Sequence, residues 1–102
     1  MMSGLYAIVT RDKPGAGAVR KEKLMQHLAH VEKVLDRIAV AGPLRDDAGN
    51  FVGSLLVVKA ESVEDARAFL EQDPYFRADI WDRIEISAFN AAAGDWVGGK
   101  TW

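Results

Sequence analysis

The sequence predicts an α+β fold of ferredoxin-like type: a four-stranded antiparallel sheet with two helices on one face. Three observations predict it. Stretches rich in β-formers fall at 5–10, 38–41, 51–59 and 83–89. Between the first two, apolar residues recur at Leu24, Leu28, Val31, Leu35 and Ile38, the spacing of a helix with one buried stripe. Between the last two, Val63, Ala66, Phe69 and Leu70 give a second amphipathic helix. The order strand–helix–strand–strand–helix–strand is the split βαβ pattern.

Length and composition bound this reading. A chain of 102 residues fits one domain, 1–102, with a core over 5–89 and a tail over 90–102. With 49% hydrophobic and 27% charged residues it has the balance of a packed globular protein, not of a disordered one. A net charge of -2 offers no basic excess, so no nucleic-acid partner is expected. No apolar stretch approaches the roughly 20 residues that cross a bilayer, and Met1-Met2-Ser3-Gly4 leads into a strand without a signal-type segment. A cytoplasmic protein without a membrane partner is the expectation. The absence of cysteine excludes disulfides, thiol nucleophiles and thiolate metal sites.

Leu5–Thr10 reads as the first strand, apolar on both faces. Arg11-Asp12-Lys13-Pro14-Gly15-Ala16-Gly17 is a loop; its Gly-x-Gly lacks the third glycine of a dinucleotide fingerprint, since Arg20 stands there. The first helix is expected over 18–37, with the charge run Arg20-Lys21-Glu22-Lys23 as a solvated face. Ile38–Ala41 follows as a strand ended by Gly42-Pro43. After the turn 45–50, Phe51–Lys59 returns as a hairpin strand with Gly53 at a bulge. Ser62 reads as an N-cap, with Asp65 returning a carboxylate. Asp73-Pro74 ends the second helix, because proline disfavours helical geometry in the residue before it. A short helical or irregular segment at 75–81 leads to the last strand.

Helices on one side leave the other sheet face bare, although strands one and three are apolar on both faces. A second copy packed sheet to sheet would cover it, so a homodimer is expected, with room for higher assembly. The glycine-containing tail carries Trp96 and Trp102, and Trp96 is expected to dock on the body or on a partner subunit.

Both histidines, His27 and His30, lie on the first helix. At about 100° per residue His27 falls roughly 50° from the centre of the apolar stripe and His30 roughly 110° away. His27 therefore belongs at the edge of the buried face and His30 in solvent. A carboxylate at Asp73, ending the second helix on the same side of the sheet, would hold the His27 imidazole in one tautomer for acid–base work. His27-x-x-His30 has helix-face spacing for a metal, but no third ligand is evident, and no metal or cofactor is expected. Tyr75 and Ser54 are candidate substrate contacts, Pro43 a candidate pocket wall, and Arg11 a candidate partner for an acidic substrate.

The segments Gln26-His27-Leu28-Ala29-His30-Val31, Ala41-Gly42-Pro43-Leu44, Gly53-Ser54-Leu55-Leu56-Val57-Val58 and Asp73-Pro74-Tyr75 stand in an order and spacing that resembles the YciI-like (YCII-related) family. The resemblance covers the chain from Leu5 to Phe89. It implies a dimer of the dimeric α+β barrel superfamily, with His27 and Asp73 as the active-site pair. Leu24 stands where the family often has an arginine, and Asp79 where a glycine is common. The expected function is a lyase or isomerase acting on a small molecule through the His–Asp dyad. The alternative is a non-catalytic dimeric ligand-binding or accessory domain in which the same pair is structural.

Overall fold

The computed structural model describes residues 4–101. Its main sheet is built from β1 (Gly4–Asp12), β2 (Ile38–Arg45), β3 (Phe51–Ala60) and β4 (Trp81–Phe89), all antiparallel in the order β2-β3-β1-β4. Helices α1 (Ala16–Lys33), α2 (Val63–Glu71) and α3 (Pro74–Arg77) lie on one face. The expected α+β, ferredoxin-like architecture is the one observed.

Register sorts the sheet residues by face, because directly opposed residues of antiparallel strands share one. Tyr6, Ile8 and Thr10 of β1 oppose Val58, Leu56 and Ser54 of β3 and Ala88, Ile86 and Ile84 of β4. This is the helix side. Ile8, Leu56 and Val58 join Ala66, Phe69 and Leu70 of α2 and Tyr75 of α3 in a single core. Ile8, Val58 and Leu70 are fully sealed, each contributing about 1.5–3 kcal/mol by leaving water. The other face carries Leu5, Ala7, Val9, Val40, Leu44, Leu55 and Val57, with no helix against it among the described residues.

Local chemistry explains the boundaries. Ser62 Oγ accepts from the Asp65 amide at 3.0 Å, as expected of an N-cap, while the Asp65 carboxylate reaches past the cap to the Glu61 amide. Asp73 is held extended by the following Pro74 and caps α3, its Oδ1 accepting from the Tyr75 amide at 2.8 Å.

Several expectations are corrected. The first helix begins at Ala16, on a Gly15 cap with φ 83, and ends at Lys33. Leu35–Arg37 is a tighter 3-10 turn, and the Arg37 guanidinium there donates to Lys59 O and to Asp65. Gly42-Pro43 does not end β2, which runs on to Arg45. β2 is an edge strand, where proline's missing N–H leaves no ladder bond unmade. The expected apolar stripe is not buried: Leu24 and Leu28 of α1 are 43% and 46% exposed and Leu35 of the following turn 58%, because α1 stands off the sheet over a cleft. Asp79 has φ 58 and ties to Lys13 Nζ at 2.7 Å. It makes the left-handed turn into β4 outside the cleft, the conformation for which a glycine is best suited.

The tail forms a small hairpin, β5 (Ala93–Gly94) with β6 (Gly99–Lys100), and exposes residues 92–101. Trp96 is 83% exposed, so it does not dock on its own body. Trp102 lies outside the described residues.

Gly53 sits where the β2–β3 register shifts, and a Cβ there would stand 2.0 Å from the Thr10 carbonyl oxygen. Gly53→Ala is expected to destabilise the fold by roughly 1–3 kcal/mol. Gly17→Ala, with open space on α1, is expected to stabilise it by about 0.5 kcal/mol. Chemical denaturation midpoints of the two variants check both signs.

Candidate functional site

A cleft of about 320 Å³ opens between α1, β2, β3 and the start of α3. Its walls are mostly apolar, including Leu24, Leu28 and Val31 of α1 and Val34 just after it, so the stripe that would otherwise seal the core lines a cavity instead.

Into this cleft α1 carries His27. Its Nδ1 lies 3.0 Å from Asp73 Oδ1, and the Asp73 side chain is 7% exposed against 23% for the imidazole. The same Oδ1 accepts from the Tyr75 amide, so the carboxylate is oriented by the chain that bears it. An ionised Asp73 only accepts, so Nδ1 is the donor of this pair, and in a neutral imidazole Nε2 is then the acceptor nitrogen. Tyr75 stacks on the imidazole with centroids 4.0 Å apart and planes at 13°. Its hydroxyl donates to the Arg20 carbonyl at 3.1 Å, and burial pushes the phenol above its ordinary pKa, against the opposing charge of Arg20.

The second charged element is Arg20, 7% exposed. Its Nε and Nη2 donate to the two Asp12 oxygens at 2.7 and 3.0 Å. Nη2 also donates to Gly53 O and Ser54 Oγ. The guanidinium lies over the Tyr75 ring at 5.1 Å and the Phe51 ring at 5.8 Å. One side chain thus joins α1 to β1 and β3.

Of the residues singled out from sequence, His27, Asp73, Tyr75, Ser54 and Pro43 all line the cleft. Arg11 does not. It is exposed, opposite Gly53 and Arg83 on the helix-free face, because successive strand residues point to opposite sides. His30 is half-buried at the cleft margin rather than solvated. Among the described residues no three His, Cys, Asp or Glu side chains gather as metal ligands, and no helix is long and apolar enough to cross a membrane. Arg20, expected on a solvated face, is the residue that sequence reasoning missed, together with its partner Asp12. Its position seven residues before His27, on the same helical face, was the available signal.

Residues 4–90 match the model of the YCII-related domain. The chain belongs to this family. It is 31% identical to protein YciI of Escherichia coli O6:H1 over 93 residues, covering 83% of this chain and 95% of that one. An uncharacterized protein of Haemophilus influenzae is 28% identical over 82% of this chain and 94% of its own. Among solved structures, the 5-chloro-2-hydroxyhydroquinone dehydrochlorinase TftG of Burkholderia phenoliruptrix, in complex with 2,5-dihydroxybenzoquinone, superposes with a TM-score of 0.76 at 30% identity, covering 89% of this chain and 96% of that one. A small-molecule enzyme therefore shares this fold. NE2512 of Nitrosomonas europaea, at 17% identity and TM-score 0.55, shares the fold alone.

The Tyr75 environment predicts an alkaline weakness. A phenol whose folded pKa is raised keeps its proton when the unfolded chain loses it, so stability falls as pH rises above about 10. Tyr75→Phe is expected to flatten that decline while costing about 1 kcal/mol near neutrality through the lost bond to Arg20 O. Melting temperatures between neutral and alkaline pH read both effects. Asp12→Ala, which orphans a buried guanidinium, is expected to cost roughly 3–5 kcal/mol in denaturant titrations.

Proposed function

We propose that the chain is a cofactor-independent enzyme of lyase or isomerase type that moves a proton on a small, oxygen-bearing cyclic molecule. His27 Nε2 is the acid–base group and Asp73 its orienting partner. One observation carries the reading: His27 is tied through Nδ1 to a buried carboxylate, while its Nε2 has no partner among the described residues and the ring borders a cleft sized for a small ligand. A histidine serving only as packing would have that cavity filled. Removal of an acidic C–H proton by Nε2 leaves the electron pair on the substrate. Expulsion of a leaving group from the adjacent carbon, or return of the proton elsewhere, completes an elimination or an isomerisation.

The substrate class is taken from TftG, a dehydrochlorinase of a chlorinated hydroxyhydroquinone, together with the apolar walls of the present cleft. Pro43 and Ser54 are substrate-facing in this reading. The working unit is a homodimer formed through the helix-free sheet face, where Leu55 remains 38% exposed, with Trp96 against the partner copy.

Deuterium uptake at the ring carbons of 2,5-dihydroxybenzoquinone, followed by NMR in D2O, tests the assignment. Wild type is expected to exceed buffer, His27→Gln to lose about 100-fold or more, and Asp73→Asn about 10-fold, both variants staying folded. A wild-type rate equal to buffer, or an unaffected His27→Gln, overturns it.

A further inference from the structure

A second hollow adjoins the cleft. It encloses about 610 Å³ between the first half of α1 and the chain that joins β2 to β3, where Gly17, Lys21, Gly49 and Asn50 line it. Four residues belong to both hollows: Arg20, Leu24, Phe51 and Tyr75. Arg20 and Tyr75 are buried, whereas Leu24 and Phe51 are 43% and 50% exposed. The inner and outer spaces thus meet over a buried floor, between two half-exposed apolar side chains.

The sequence keeps the outer space open. Gly17 and Gly49 have no side chain, and a Cβ on either would meet nothing within 4 Å. Gly17, Lys21 and Leu24 stand at i, i+4 and i+7, so they form one stripe of α1. His27 follows Leu24 by three residues, a rise of about 4.5 Å, which is close to the length that one flat ring adds to a ligand. A ligand ring beside His27 would therefore carry its substituent between Leu24 and Phe51.

Charge narrows what that substituent can be. Among the described residues, Lys21 is the only ionisable group that lines the outer space and not the cleft. It is exposed to water, and the connection across from it carries the exposed Asp46 and Asp47, so an anion there gains little. The polar groups of that connection are turned on one another, the Asn50 amide and side chain both donating to Asp46. What stands uncommitted is apolar surface on Leu24 and Phe51, which leaves water when a flat apolar group lies between them.

We infer that the outer hollow is a second substrate compartment, which takes a flat apolar substituent, a second ring above all, on a cyclic ligand whose first ring occupies the cleft. Leu24 and Phe51 are then specificity residues that favour a substituted ring over a bare one. The inference rests on the cleft being the ligand site proposed above and needs no proton transfer.

Binding without turnover tests it. The probes are hydroquinone (a bare ring), phenylhydroquinone (a second flat ring) and 2,5-dihydroxyphenylacetate (a carboxylate arm), titrated at pH 7 in deoxygenated buffer. Shifts of the His27 ring signals in 13C-labelled protein report occupancy of the cleft. Wild type is expected to bind phenylhydroquinone about tenfold tighter than hydroquinone, and the carboxylate no tighter than hydroquinone. Phenyl protons are expected to show NOEs to Leu24 and Gly17. Leu24→Asn, a change on the half-exposed side of α1, is expected to reduce the tenfold ratio to about twofold. Equal affinities for the first two probes, a preference for the carboxylate, phenyl NOEs confined to other residues, or an unchanged ratio in Leu24→Asn overturns the inference. Absence of any His27 shift overturns it together with the ligand-site reading. Loss of deuterium exchange with the tenfold ratio intact strikes the proton-transfer reading alone and supports the second compartment.

Discussion

The buried pair of Arg20 and Asp12 constrains everything around it. A guanidinium cannot shed its charge inside a protein, so an arginine this deep must stay fully hydrogen-bonded or the fold pays several kcal/mol, about 3–5 when one partner is removed. Meeting that demand ties the second turn of α1 to the end of β1 through Asp12 and to β3 through Gly53 and Ser54. The Gly53 carbonyl that it uses belongs to a position only glycine can occupy. The backbone of β1 approaches there too closely for any side chain. With α1 anchored at its beginning, the remainder of the helix leans over the sheet instead of lying on it.

The space left under α1 is where the second polar element sits. Asp73 is placed by the chain itself: Pro74 forces it out of helical geometry, its Oδ1 caps α3, and the same atom receives Nδ1 of His27. A carboxylate held by its own backbone need not be ordered again when the imidazole changes protonation state, the property general acid–base work requires. Tyr75, next along α3, completes the arrangement by filling the interval between His27 and Arg20 and bonding back to the Arg20 carbonyl. The leucines and valines of α1 that a compact fold would bury then wall a cleft.

Membership of the YCII-related family places these features in context. Leu24 stands where the family resemblance leads one to expect an arginine, and Arg20, one turn earlier, lines the cleft. Asp79 makes a left-handed turn, where a short side chain that can bond locally, here to Lys13, bears that conformation better than most.

Periodicity, strand composition and the Ser62 and Asp73-Pro74 signals were enough to order the elements, to choose His27 over His30 and to pair it with Asp73. These are local properties, written within a turn or two of chain, and the family motifs repeat them. Other features are decided only in three dimensions. Arg20 looks like part of a solvated charge run until Asp12, Gly53 and Ser54 converge on it from two strands. Arg11 looks like a site residue until the strand alternation turns it to the opposite face. Pro43 reads as a stop, but an edge strand has an outer side with no ladder, where a missing N–H can be tolerated. The burial and pairing of Arg20 depend on partners 8 to 34 residues away along the chain, and no local pattern encodes them.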